Sequence, residues 1–257
     1  MNKKKWKIVL CLGIVICIGC LGVFGWITYR NYRTQKELEA ISSSDFTQRD
    51  GEEPDLPEGI RHGDDIDFNE LQKINDEIYA WIYIPDTKID YPVAQNAEDD
   101  AHYLNYNYKN EPEFAGCIYT EKYNKKDFTD PNTVMYGHNM RNGSMFQNLH
   151  KFEDGDFFDK HKNVYVYTPD KIYTYTIFAA YKYDNRHLLK SFNFKDKEVF
   201  ENYLKNVLST RQMISHIRKD QKVTADDQIL TLSTCVGGEP DNRYLVQAVL
   251  TDERDAK

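Results

Sequence analysis

The sequence predicts a mostly β chain, closed into a single barrel of about eight strands, with one helix before the barrel and another inserted in a late connection. Three observations point there. From Trp81 onward, short runs of β-branched and aromatic residues recur, most of them parted by Gly, Pro, Asp and Asn. From Asp67 onward, helical periodicity is confined to two segments. Aromatic residues make up 14% of the 257 residues, a content that suits pleated, half-buried surfaces.

The amino terminus stands apart. Lys3, Lys4, Lys5 and Lys7 precede an uncharged run from Ile8 to Ile27, and about 20 apolar residues are what a helix needs to cross a bilayer. The positive-inside rule then places residues 1–7 in the cytoplasm and everything past the anchor, residues 8–28, outside the cell. No A-x-A-like cleavage site lies near Trp26, and the chain stays apolar after Cys20, so neither a cleaved signal nor a lipid-modified cysteine is expected. Residues 29–66 are rich in Asp, Glu, Ser, Gly and Pro and read as an acidic extracellular stalk. Six of the 33 basic residues and none of the 41 acidic ones precede Thr34, so the remainder carries 27 basic against 41 acidic residues. That balance argues against nucleic acid as a partner.

Residues 67–257 form the expected folded domain. Phe68, Leu71, Ile74 and Ile78 fall at helical spacing behind Asp67, with Glu70 placed to complete a capping box. Trp81 to Ile84 and Ile89 to Val93 read as a hairpin around Asp86. Further strands are expected at Gly116 to Thr120, Thr133 to Tyr136, Val164 to Thr168, Lys171 to Tyr181, Gln228 to Thr234 and Tyr244 to Thr251. One excursion breaks the series: from Asp196 to Leu208, residues Val199, Phe200, Tyr203, Leu204, Val207 and Leu208 share a helical face. This helix stands in the connection leading to the Gln228 strand, where it is placed to wall a groove.

The chemistry gathers at strand ends. Cys235 closes the strand TLSTC where a Gly, Pro, Asp and Asn loop begins, and Arg243 precedes the next strand, so thiol and guanidinium are expected to face each other across antiparallel neighbours. A nearby guanidinium favours the thiolate, the nucleophilic form. His138, in VMYGHN, follows a strand ended by Gly137 and so also sits at a rim. Of the five cysteines, Cys11, Cys17 and Cys20 lie in the apolar run, and Cys117 in FAGCIY reads as a buried structural thiol. Cys235 is then a free thiol outside the cell. His150 and His161 read as structural, and His62, His102, His187 and His216 show no partner pattern.

WIYIPDTKIDYPVAQ, YLNY, AGCIYT, NTVMYGHNMRNGSMFQNLHKF, TLSTC and Arg243 follow one another in a way that resembles the sortase family. The two added helices resemble its class B. The resemblance implies an eight-stranded barrel, with the second helix between the sixth and seventh barrel strands, and no metal or other cofactor. It also implies a membrane-anchored transpeptidase that cuts a carboxy-terminal sorting signal of the NPxTx type after Thr and joins the product to an amine of peptidoglycan or its lipid-linked precursor. By that resemblance Cys235 is the nucleophile, His138 the general acid and base, and Arg243 the stabiliser of the oxyanion or substrate. Tyr136, Ser233 and Asn105 match positions toward the substrate groove. Val236 departs from the acid found after the cysteine in some class B members, and the seven-residue loop to Arg243 is shorter than in some. Two other readings of the residues stand beside this one: a membrane-anchored cysteine endopeptidase, in which water resolves the thioester, and a non-enzymatic surface-binding domain with an inert Cys235.

Overall fold

The computed structural model describes residues 66–256 without a break, together with residues 17, 19–30, 32, 33 and 36. Two units are distinguished, residues 1–40 and 41–257. In the first, the described residues are helical, and among the described residues no helix is long and apolar enough to cross a membrane. The expected cytoplasmic segment 1–7 lies outside the described residues, the expected stalk lies almost wholly outside them, and the expected anchor is described only at 17 and from 19 on.

The second unit contains the barrel. Its strands are β1 (Ile78–Tyr83), β2 (Asp90–Ala94), β3 (Ile118–Thr120), β4 (Asn132–Tyr136), β5 (Asn163–Tyr167), β6 (Lys171–Asp184), β7 (His216–Ile217), β8 (Ile229–Val236) and β9 (Glu239–Asp255). The order β5-β1-β2-β3-β4-β8-β9-β6 closes on itself through β5–β6 pairing, which gives the eight-stranded barrel, and the two-residue β7 hangs on the far edge of β6. β2–β3 and β4–β8 are parallel, and the other pairs are antiparallel. Two register shifts between the long strands β6 and β9 let them bend around the barrel.

All eight expected barrel strands are present, with changed limits. The largest change is in β9, which starts at Glu239 and not at Tyr244: the expected seven-residue loop after Cys235 is a turn at Gly237 and Gly238 closed by Val236↔Glu239 pairing. Gly238 has φ +77, a conformation glycine adopts at little cost. The first helix is also shorter than its periodicity. Helix α1 (Phe68–Ile74) has Asp67 accepting from Glu70 N, and it stops because Asn75 turns extended and donates its Nδ2 to Tyr103 Oη and the Tyr108 carbonyl. Ile78, expected on that helix, opens β1.

Three short elements carry no strong sequence periodicity: α2 (Gly155–Lys160), α3 (Leu188–Ser191) and a 3-10 stretch at Phe146–Glu153. Helix α4 (Lys197–Leu208) is the expected inserted helix, between β6 and β8, and it is capped by Asp196. Its buried Phe200, Tyr203, Leu204 and Val207 pack with Val134, Phe178, Ala179, Tyr181, Ile229, Leu245 and Val249. At about 1.5–3 kcal/mol for each large apolar side chain, this face anchors the helix strongly. A polar pin runs through the same contact. Fully buried Gln247 donates to Tyr203 Oη (2.7 Å) and Thr231 Oγ1 (2.8 Å) and accepts from Tyr181 Oη (3.1 Å), while Thr231 donates to Asn132 Oδ1 (2.8 Å). A satisfied buried network of this kind admits one register of strands and helix and penalises the others.

Candidate active site

Strand register assembles the site. β4 and β8 run parallel with Tyr136 beside Ser233, and the pairing continues as Gly137 N donates to the Ser233 carbonyl (3.2 Å) and Thr234 Oγ1 to the Gly137 carbonyl (2.8 Å). One residue further, His138 comes level with Cys235. On the other flank Cys235 pairs with Arg243 of β9, and Arg243 with Tyr183 of β6. Cys235, Arg243 and Tyr183 therefore form one row across β8, β9 and β6, and His138, two residues past the last β4–β8 pair, lines the same cleft. Side chains in such a row project to one face, with neighbouring strands about 4.8 Å apart.

A second row, two residues down the strands, runs Tyr119, Tyr136, Ser233, Leu245 and Tyr181. Both rows lie on the outer face of the barrel, the face that α4 covers lower down. Above the helix they floor a cleft of about 240 Å³. Its walls are Leu104 on one side and Asn185, Arg186, His187 and Leu188 on the other. The connection to β8 thus walls the groove as expected, but through the residues entering α3; α4 packs beneath.

His138 and Arg243 are each tied to main chain. Among the described residues no hydrogen bond joins His138 or Arg243 to the thiol. His138 Nε2 lies 2.8 Å from the Leu104 carbonyl, and its ring stacks on Phe114 with centroids 5.5 Å apart. A carbonyl only accepts, so Nε2 carries the proton and Nδ1 is the nitrogen left for proton exchange. β9 has three extra residues between Glu239 and Arg243, and this bulge turns carbonyls toward the guanidinium: Arg243 Nη1 donates to Pro240 O and Asn242 O, both at 2.9 Å. Pro240 sits in the bulge, where no ladder N–H is needed. Cys235 is exposed and unbridged. Cys117 is buried and free, and burial pushes its thiol up to about 12, which leaves it an unreactive packing group.

Tyr136 and Ser233 line the cleft floor. Asn105 is exposed just after Leu104, closes the turn onto the His102 carbonyl, and is not part of the cleft wall. Sequence reasoning missed three contributors. Asn139 Nδ2 and His150 Nε2 both donate to the Cys235 carbonyl. His187, which showed no partner pattern, places Nε2 2.6 Å from Glu121 Oε2, and its Nδ1 accepts from Lys190 N to cap α3. Burial raises the Glu121 carboxyl above its ordinary range, with His187 pulling the other way. Tyr136, its hydroxyl pushed up by burial and so held as a donor, reaches the same carboxylate at 3.4 Å.

Glycine is required beside His138. A Cβ on Gly137 would stand 2.5 Å from Ile118 Cδ1 and 2.8 Å from the Phe146 ring. Gly137→Ala is expected to cost about 1–3 kcal/mol of stability through overpacking and to lower kcat by shifting His138. Thermal melts and steady-state kinetics on one preparation check both effects.

A thiol flanked by an imidazole and a guanidinium, in a cleft walled on two sides, is a donor set for acyl transfer through a cysteine nucleophile. Residues 82–251 match the sortase domain family. Sortase B of Listeria monocytogenes is 35% identical over 241 residues, which cover 89% of this chain and 92% of that protein. Among solved structures, sortase B of Bacillus anthracis in complex with AAEK1 aligns with a TM-score of 0.71 at 32% identity, covering 88% of this chain and 99% of that one. Sortase B of Clostridium perfringens aligns with a TM-score of 0.65 at 34% identity over 72% of this chain and 100% of that one.

Proposed function

This chain belongs to the sortase family as a cysteine transpeptidase of the sortase B kind, and on that premise we propose that Cys235, His138 and Arg243 carry out cell-wall sorting through a thioester. The observation that supports the residue roles is one cleft lined by His138, Cys235 and Arg243, the last two paired across β8 and β9. Cys235 passes its thiol proton to Nδ1 of His138, and the thiolate Sγ attacks the carbonyl carbon of Thr in the sorting signal of a secreted protein. The tetrahedral oxygen draws on Arg243 and on a backbone N–H beside Cys235. As the peptide bond breaks, Nδ1 of His138 gives its proton to the departing amine, and the thioester remains on Cys235. An amine of peptidoglycan or its lipid-linked precursor then attacks the thioester, Nδ1 takes the proton back, and the thiolate leaves.

The sorting signal is of the NPxTx type, laid along the lower row over Tyr136 and Ser233, with Asn105 at the mouth beyond Leu104. Residues 1–7 stay in the cytoplasm, 8–28 anchor the chain, and 29–66 give the catalytic domain at 67–257 its reach from the outer membrane face. The uncharged run after four lysines supports this placement. The test is incubation of the full-length chain in mild detergent with NPxTx-type and LPxTG-type peptides plus oligoglycine or a wall-peptide amine, with products read by mass spectrometry. Ligation at Thr, with NPxTx preferred, is the expected result. Hydrolysis that never incorporates the amine would leave a peptidase in place of the proposed transfer.

A further inference from the structure

Cys235 sits where both neighbouring ladders give out. β4 makes its last main-chain contact with β8 through Gly137 N on the Ser233 carbonyl, and the β8–β9 register shifts between Cys235 and Val236, on the N-terminal side of Arg243. The Cys235 carbonyl therefore has no ladder donor waiting for it, although a strand end frays unless its carbonyl is satisfied. Two side chains take that place: Asn139 Nδ2 at 2.8 Å and His150 Nε2 at 3.0 Å converge on this one oxygen, 3.1 Å from each other. A carbonyl and a carboxylate both only accept, so a ring that bonds the Cys235 carbonyl and Glu153 together donates from both nitrogens. The ring is itself held from two sides, by stacking on buried Tyr244 with centroids 5.1 Å apart and by Glu153 Oε1 at 2.6 Å from Nδ1.

We infer that His150, held by Glu153 and Tyr244, is a positioning residue for the reaction at Cys235: with Asn139 it grips the Cys235 carbonyl and fixes the peptide that carries the nucleophile. The inference rests on Cys235 being that nucleophile. A trans peptide is planar, so fixing the oxygen fixes ψ of Cys235 and the Val236 N–H that lies anti to it. One short segment also supplies every reference point. His138 begins it, its carbonyl accepts from Phe146 N (3.0 Å), and Asn139 and His150 reach back from it to Cys235. The acid-base group and the nucleophile's peptide are thereby tied to the same few residues, and their separation is set by that segment.

The test compares the full-length wild-type chain with His150→Phe, His150→Gln and Cys235→Ala in peptide ligation. Phe keeps a ring against Tyr244 and loses both nitrogens, whereas Gln returns an amide N–H near the Nε2 position. For His150→Phe, kcat is expected to fall about 10-fold or more, as small misplacements of reacting groups do, with KM within about 2-fold of wild type. His150→Gln is expected to regain most of that loss, while the melting midpoints of the two variants stay alike. A merely structural histidine would lose stability without this split between kcat and KM and without rescue. Wild-type kcat in His150→Phe, or a Gln variant as slow as the Phe variant, would overturn the inference. If His150→Phe does not fold, Asn139→Ala removes the other donor without touching Tyr244 or Glu153. A lowered kcat there supports the grip, and an unchanged one overturns it. An active Cys235→Ala would sink the nucleophile assignment itself, whereas an inactive Cys235→Ala beside an unimpaired His150→Phe sinks only the positioning role.

Discussion

Cys235→Ala is expected to leave no measurable ligation or cleavage, a loss on the order of 10⁴-fold or more, because nothing else in the cleft can form the acyl intermediate. The cleft-lining Ser233 is 6% exposed and lies in the lower row, without the flanking imidazole and guanidinium. The other domain thiol, Cys117, is buried on β3's approach and held in its neutral form. The fold should not notice the change. Cys235 is exposed, and it is the carbonyl, not the thiol, that Asn139 and His150 hold. An inactive variant with an unshifted melting midpoint is thus the expected pair of readings.

His138→Gln is expected to lower kcat by about 10²- to 10⁴-fold, the usual worth of a positioned general acid and base. Gln can still donate to the Leu104 carbonyl and so hold its place, but it has no nitrogen able to pass a proton. The defect should depend on the leaving group. An amide needs its departing nitrogen protonated, whereas an activated ester at the same Thr carbonyl does not, so the loss should shrink when the ester replaces the amide. An equal loss on both substrates would mean that His138 orients and does not transfer the proton.

The sequence made the barrel and its row of strand ends legible for a physical reason. Period-2 alternation and turn residues are local signals, and each of Tyr136, Ser233 and Cys235 could be placed from its own strand. Pairing of Cys235 with Arg243 also followed from two adjacent strands. What local pattern could not supply was the shape of the connection: paired residues begin at Glu239, and the bulge that aims Arg243 is a register shift, invisible without the partner strand. Ile78 carried helical spacing yet opens β1, because Asn75 finds partners in Tyr103 and Tyr108, both distant in sequence. His150 and His187 were unreadable for the same reason. Their partners, the Cys235 carbonyl and Glu121, lie 85 and 66 residues away, and no spacing rule connects them. Asn105 shows the converse, since a position suggested by resemblance lies one residue beyond the side chain that walls the cleft.

The most direct test of the central claim is intact-mass spectrometry of the full-length chain mixed with an NPxTx-type peptide and no amine acceptor. The account predicts an adduct equal to the peptide through Thr less water, located on Cys235, which disappears as the ligated product forms when the amine is added. Peptide cleavage with no adduct, persisting in Cys235→Ala, would contradict it.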